Sequence, residues 1–292
     1  MYIVIVVLLA LLTLAGFVGF GAARWFNIGI VLIQPSELAK IVMIIVMADY
    51  FSRHQHEIEN PRVLLRSLLL MGVPLYLVFS QPDLSTSIVL GVIWVALVWA
   101  VGAKVKHLLA LGSLVIALPL AAWPFLASYQ KARVVTFLFP DPNASFGATY
   151  NVNQALISIG SGGWFGKGYG QGTQVQLRFL KVRHTDFIFS AMAEEFGFIG
   201  AFLLIGLFLF VIFRCLRASR IARDTFGGLI AFGVAILLLF QGAFNIGMNM
   251  NLFPVSGLPL PFFSYGGSSL LSILLGIGLV ESVILRHKRI EL

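Results

Sequence analysis

From Thr225 to Met248 the chain carries no charged residue, and seven further stretches are largely apolar. A helix crossing the hydrocarbon core of a bilayer needs about 20 such residues, because no water is present there to satisfy a bare backbone. Spans are expected at residues 2–22, 36–51, 63–80, 84–102, 107–126, 187–213, 225–248 and 268–285. The second is short and carries Glu37, Lys40 and Asp49, which makes it the weakest by hydropathy. The first has no basic flank and runs too long for a signal-peptide core, so it reads as a span. Hydrophobic residues make up 59% of the 292 and charged residues 11%; soluble proteins have roughly 45–50% and about 25%. These figures exclude a soluble enzyme and a disordered tail, and the single cysteine, Cys215, excludes an intramolecular disulfide. The expected fold class is all-α: a single integral membrane domain over residues 1–292, with about eight transmembrane helices.

The basic residues orient these spans. The net charge is +8, and such an excess in a membrane protein gathers in short cytoplasmic loops. With the N-terminus in the cytoplasm, that side receives Arg53, Arg62, Arg66, Lys104, Lys106, Arg214, Arg217, Arg220, Arg223, Arg286, Lys288 and Arg289. The other side receives Arg24, Lys131, Arg133, Lys167, Arg178, Lys181 and Arg183, mostly in one long loop. Long loops translocate largely regardless of charge, so both termini are expected in the cytoplasm. The extracytoplasmic loop, about residues 127–186, far exceeds the usual few residues. Its aromatic residues and the run ALISI argue for short interfacial helices.

Ionisable residues inside a span are expensive, and each admits two readings. Glu37 and Lys40 of QPSELAK share a helix face: they form either a self-neutralising pair or the polar wall of an outward cavity. Asp83 of QPDLSTS follows Pro82 and suits N-capping. Glu194 and Glu195 need partners, water or protonation, and Lys40 is a candidate partner.

Asp186, in HTDFIF, stands where the long loop meets the sixth span. As a first-turn acid after an N-capping Thr185 it would be ordinary. However, Lys167, Arg178, Lys181, Arg183 and His184 all precede it within twenty residues. Cations beside a carboxylate at a membrane surface suit an anionic, membrane-bound substrate, with the cations holding a pyrophosphate and the carboxylate handling a proton. The same cations are expected to lower the Asp186 pKa.

The glycine-rich SGGWFGKGYGQG fits neither the dinucleotide nor the P-loop pattern. No nucleotide site is expected, although backbone amides there could approach a ligand. The histidines have no zinc spacing and no metal site is expected. The last outer loop, with Pro254, Pro259 and Pro261, cannot be continuous helix. Asn245 and Asn249 share a face near it, either shaping the site or packing against it.

Taken together, QPSELAK, QPDLSTS, YNVNQALISIGSGGWFGKGYGQGTQ, RHTDFIFSAMAEEFGFIGA and PVSGLPLPFFSYGGSS resemble the shape, elongation, division and sporulation (SEDS) proteins. GSGGWFGKGYGQGTQ leading into RHTDFIF points to the rod-shape branch rather than the division branch. The resemblance covers nearly the whole chain, which opens inside what resembles the third of the family's usual ten spans. It implies a peptidoglycan glycosyltransferase that polymerises lipid II outside the cytoplasmic membrane during elongation, beside a class B penicillin-binding protein that supplies the transpeptidase. It places the family's essential acid on Asp186 and its polar cavity residues on Arg24, Gln34, Glu37 and Lys40. Lys167, Arg183 and His184 are added as candidate substrate-binding cations. The implied partners are lipid II, that transpeptidase and membrane lipids, with no nucleic acid. No cofactor is assigned, though a divalent cation could share the charge of a departing pyrophosphate. Two rivals stand beside this reading: a flippase for the lipid-linked precursor, and an inactive scaffold for a transpeptidase.

Overall fold

The computed structural model describes residues 1–15, 17–19, 22–27, 32–81, 83–104, 124, 128–140, 147–177, 179–180 and 184–287. It divides into two compact units. One comprises Met1–Pro124, Ile212–Leu238 and Gly267–Leu292, and the other Phe125–Val211 and Leu239–Gly266. The helices are α1 (Tyr2–Ala15), α2 (Pro35–Arg53), α3 (Pro61–Ser80), α4 (Leu84–Ala100), α5 (Ser128–Leu138), α6 (Gly147–Ser161), α7 (Thr173–Gln176), α8 (Ile188–Ile221), α9 (Thr225–Asn249) and α10 (Gly267–His287). Among the described residues, α3, α8, α9 and α10 are long and apolar enough to cross a membrane. The fold class is all-α and polytopic. The fifth expected span, 107–126, falls almost wholly outside the described residues.

The first expected span, 2–22, is corrected. Helix α1 has only 14 residues, about 21 Å at 1.5 Å per residue. It gives way to a small antiparallel sheet of β1 (Phe17–Gly19), β2 (Ala22–Asn27) and β3 (Leu32–Ile33), in which Phe17 pairs with Trp25 and Phe26 with Ile33. Glycine density and β-branched Val18 oppose helix here, a local effect that averaged hydropathy misses.

In the first unit, α2 is the central element and packs on α1, α3, α4 and α10. Met43, Ile44, Met47 and Phe51 of α2 are fully buried, as are Leu90, Ile93 and Leu97 of α4. A helix enclosed by protein can carry Glu37 and Lys40, which explains its poor hydropathy. Helix starts follow the capping rules. Asn60 accepts from the Arg62 amide at 3.0 Å ahead of Pro61, and Asp83 accepts from the Thr86 amide at 3.2 Å. Between apolar helices in lipid, close approach rather than water exclusion drives association. A side chain on Gly233 would start 2.8 Å from Ile44 Cγ2, so that contact admits only glycine.

In the second unit, the stretch expected as an outer loop holds α5, α6 and α7, as its aromatic content implied. Val152 and Ala155 of α6 meet Leu180, Phe187 and Ala191 in one core cluster, while Phe189, Leu204 and Leu260 form another. Large side chains such as Phe202, Leu203, Leu207 and Phe210 stay exposed along α8, as lipid-facing positions do.

Candidate functional site

Helix α8 is broken. Gly197 has φ 67° and ψ −166°, so the helical ladder is interrupted between Phe196 and Phe198. A break strands carbonyls on one side and amides on the other, which is intolerable in a dry interior unless other groups meet them. The glycine segment does so. The amides of Lys167 and Gly168 donate to the carbonyls of Glu194 and Glu195 at 3.0 Å each. Those of Phe198 and Ile199 donate to the carbonyls of Gly163 and Trp164 at 2.8 and 3.1 Å. Contact is so close that a Cβ on Gly162 or Gly166 would lie 2.0 or 2.1 Å from a carbonyl oxygen of α8. The glycines therefore serve backbone stitching. The Lys167 and Gly168 amides, which the sequence left open to a ligand, are occupied.

Side chains lock the same joint. Lys167 Nζ lies 2.8 Å from Oε1 of the fully buried Glu194, which also accepts from Thr173 Oγ1 at 3.1 Å and the Gln174 amide at 3.0 Å. The partner of Glu194 is thus Lys167, correcting the expectation of Lys40. One carboxylate neutralises a lysine and caps α7 at once.

Asp186 lies in a turn, residues 184–187, just before α8. Its main chain is clamped from several directions. Asn245 Nδ2 and Asn249 Nδ2 donate to the Asp186 carbonyl at 3.1 and 3.0 Å. Asn249 Oδ1 in turn accepts from the Ser190 amide and hydroxyl. Ser264 Oγ donates to the Thr185 carbonyl at 2.6 Å, and the Tyr265 amide to that of His184 at 2.8 Å. Two asparagines four residues apart on α9, followed by a proline-broken loop, thus hold one turn rigidly. Of the two readings of Asn245 and Asn249, shaping that turn is the observed one.

The carboxylate itself is half-buried. Loss of hydration pushes its pKa above the usual carboxylate range; Arg133 and the Thr185 hydroxyl pull it partly back. The expected lowering is therefore reversed, because burial outweighs the charges. Arg133, on α5, also donates to the Ser256 carbonyl at 3.2 Å, and a side chain on Gly257 would start 3.9 Å from Asp186 Oδ2. The carboxylate feels the charge of a guanidinium and lies near a glycine turn, an arrangement able to take a proton from an approaching hydroxyl.

The first unit holds a second polar group. Lys40 Nζ binds both oxygens of Glu37 at 2.9 and 2.8 Å, and both side chains are buried. Ser272 Oγ donates to Glu37 Oε2 at 3.3 Å. Gln34 Nε2 donates to Asp83 Oδ2 at 3.2 Å, and its amide to Ser268 Oγ at 3.1 Å. The self-neutralising reading of Glu37 and Lys40 describes the contact seen, and Asp83 caps α4 as expected.

His184 is exposed at the Asp186 turn. Arg183, Arg178 and Lys181 lie outside the described residues, as does the side chain of Arg24 on β2. Arg133 escaped the sequence reading because only folding brings it to Asp186 from more than fifty residues away. Among the described residues no group of three or more His, Cys, Asp or Glu stands together to hold a metal.

Comparison with known proteins agrees with this architecture. The sequence matches the FtsW/RodA/SpoVE family of cell cycle proteins over residues 1–289. It is 38% identical to the peptidoglycan glycosyltransferase MrdB of Escherichia coli (strain K12) over 294 residues, covering 100% of this chain and 78% of that protein. It is 39% identical over 295 residues to the probable peptidoglycan glycosyltransferase FtsW of Hydrogenovibrio crunogenus, covering 99% and 75%. A chain from a peptidoglycan synthase complex that coordinates polymerization and crosslinking superposes with TM-score 0.81 at 32% identity, over 99% of this chain and 80% of that one. The rod shape determining protein RodA of Thermus thermophilus gives 0.66 at 31% identity, over 99% and 77%. The chain is a multi-pass membrane protein and belongs to the FtsW/RodA/SpoVE family.

Proposed function

We infer that this protein is a RodA-like peptidoglycan glycosyltransferase, and we propose that its reaction is the polymerisation of lipid II at the outer face of the cytoplasmic membrane during cell elongation. The observation that carries the proposal is the Asp186 turn: a carboxylate of raised pKa on a clamped backbone beside Arg133. The 4-hydroxyl of the acceptor sugar attacks the anomeric carbon of the donor. The bond from that carbon to the pyrophosphate oxygen breaks, and the hydroxyl proton passes to Asp186. A raised pKa brings a carboxylate closer to neutrality and makes it a better base while it remains ionised. Arg183 and His184 are assigned to the leaving pyrophosphate; a supplied divalent cation would share that charge through the pyrophosphate's own oxygens.

Gln34, Glu37, Lys40 and Arg24 are proposed as substrate-binding groups on the strength of the family resemblance. A class B penicillin-binding protein is the proposed partner, supported by the relative in a peptidoglycan synthase complex. Both termini are assigned to the cytoplasm from the distribution of Lys and Arg. An alkaline phosphatase fused after Leu292 should then be inactive in cells.

A broken transmembrane helix also occurs in transporters and favours a flippase as second reading. Here the break is filled by the chain's own glycine loop, whereas transporters leave such ends to a substrate. The test is reconstitution with labelled lipid II and the partner. Glycan strands support the polymerase, whereas precursor crossing the vesicle wall without strands supports the flippase.

A further inference from the structure

A cavity of about 690 Å³ opens in the first unit, and no residue placed in the reaction lines it. It lies where α8 ends, α9 begins and α4 ends, and its lining includes Trp99, Ser219, Arg220, Arg223, Thr225 and Phe232. The turn between α8 and α9 is tight: a side chain on Gly228 would start 3.2 Å from the Ser219 carbonyl oxygen. Arg220, in the last turn of α8, and Arg223, just after it, both line the cavity. Both are exposed, and neither has an ion-pair partner among the described residues. The carboxylate in the lining, Asp224, is turned to helix capping and accepts from the Gly227 amide at 3.3 Å. Two guanidinium groups against one engaged carboxylate leave the lining net positive. Trp99 is 60% exposed and lies 6.1 Å from Phe232, ring to ring. A tryptophan beside arginines at the end of a span is the arrangement that sits at lipid head-group level. Basic pockets between spans on the cytoplasmic side take anionic head groups.

We propose that this cavity binds the phosphodiester head group of an anionic phospholipid, with Arg220 and Arg223 on the phosphate and Trp99 and Phe232 against the glycerol and upper acyl chain. Assignment to the cytoplasmic leaflet rests on the orientation proposed above; the binding itself does not.

The test is native mass spectrometry of the full chain in detergent, titrated with phosphatidylglycerol or phosphatidylcholine. Detergent micelles have no sides, so failure here is distinguishable from a wrong orientation. Wild type should retain phosphatidylglycerol in preference to phosphatidylcholine. Each basic residue near an anionic surface contributes about fivefold in affinity, so R220Q/R223Q should weaken that retention roughly 25-fold. Arg62→Gln/Arg66→Gln, on the same expected side but outside the cavity, should retain it. Equal retention by wild type and R220Q/R223Q would overturn the site. So would an equal loss in the Arg62/Arg66 control, which would mean general surface charge. Displacement by excess inorganic phosphate would assign the cavity to a free anion and refute the lipid; none is expected.

Discussion

The ammonium of Lys167 sits 2.8 Å from Oε1 of Glu194, joining the glycine loop to the carboxyl end of the first segment of α8. Glu194 is fully buried while Lys167 retains some exposure, so the two partners are unequal. Removing the lysine leaves a buried carboxylate with only Thr173 and the Gln174 amide, whereas neutralising the glutamate keeps an acceptor for both. Breaking a buried pair from one side typically costs about 3–5 kcal/mol, and partial solvation of the lysine places this one near the lower end. Lys167→Met should therefore lower Tm in detergent by several degrees and Glu194→Gln by less. The double variant should recover part of the Lys167→Met loss. Additive losses, with the double variant losing the sum of the two single losses, would mean that the pair contributes no coupling.

The stitching of the broken helix gives a prediction about two glycines. Gly166 has φ 78° and its missing Cβ would lie 2.1 Å from the Glu195 carbonyl oxygen; Gly170 has φ 69° and open space around it. Gly170→Ala pays only the left-handed penalty of about 1–2 kcal/mol. Gly166→Ala must in addition push the loop off α8, unpairing the amides of Lys167 and Gly168. Thermal melts of the two variants should differ clearly, with Gly166→Ala much the lower.

Asn249 should act through the position of Asp186. Asn249→Ala removes one of two donors to the Asp186 carbonyl and the acceptor of the Ser190 amide and hydroxyl. Misplacement of a reacting group by about 1 Å can reduce rate 100-fold. A fall in kcat of about 10- to 100-fold with KM little changed is expected from steady-state polymerisation. A change confined to KM would contradict the positioning role.

Arg133 and Asp186 set the acidic limb of the rate profile. Burial raises the Asp186 pKa and Arg133 lowers it, and the base must be ionised to accept a proton. Activity should therefore rise with pH through the Asp186 pKa. Arg133→Gln should move that limb to higher pH, and Arg133→Lys should move it less. The readout is kcat/KM against pH; an unmoved limb in Arg133→Gln would separate the two residues.

The same shift has a stability consequence. A carboxyl whose folded pKa is raised contributes stability that is complete below the unfolded value and lost as pH rises through the folded one. At neutral pH ionised Asp186 is thus a burden, and Asp186→Asn should melt at or above the wild-type temperature. A lower melting point would point to a structural salt link instead.

Much of this architecture is written in local patterns. Hydropathy located α3, α4, α9 and α10 to within a few residues. The three-residue spacing of Glu37 and Lys40 offered their pair as one of two readings, and Pro82-Asp83 favoured the cap of α4. What escaped depends on contacts between distant residues. The break at Gly197 is silent in hydropathy, since the residues around it remain apolar. The loop that pairs its open backbone groups lies about thirty residues earlier. The sign of the Asp186 shift escaped because nearby charges can be counted in a sequence, whereas the burial that outweighs them cannot.

The central claim is that Asp186 carries the chemistry, and the most direct measurement is glycan synthesis from labelled lipid II by purified protein with its transpeptidase partner. Wild type should yield strands, while Asp186→Asn and Asp186→Ala, folded and thermally stable, should yield none. Equal product from wild type and Asp186→Ala would contradict the account.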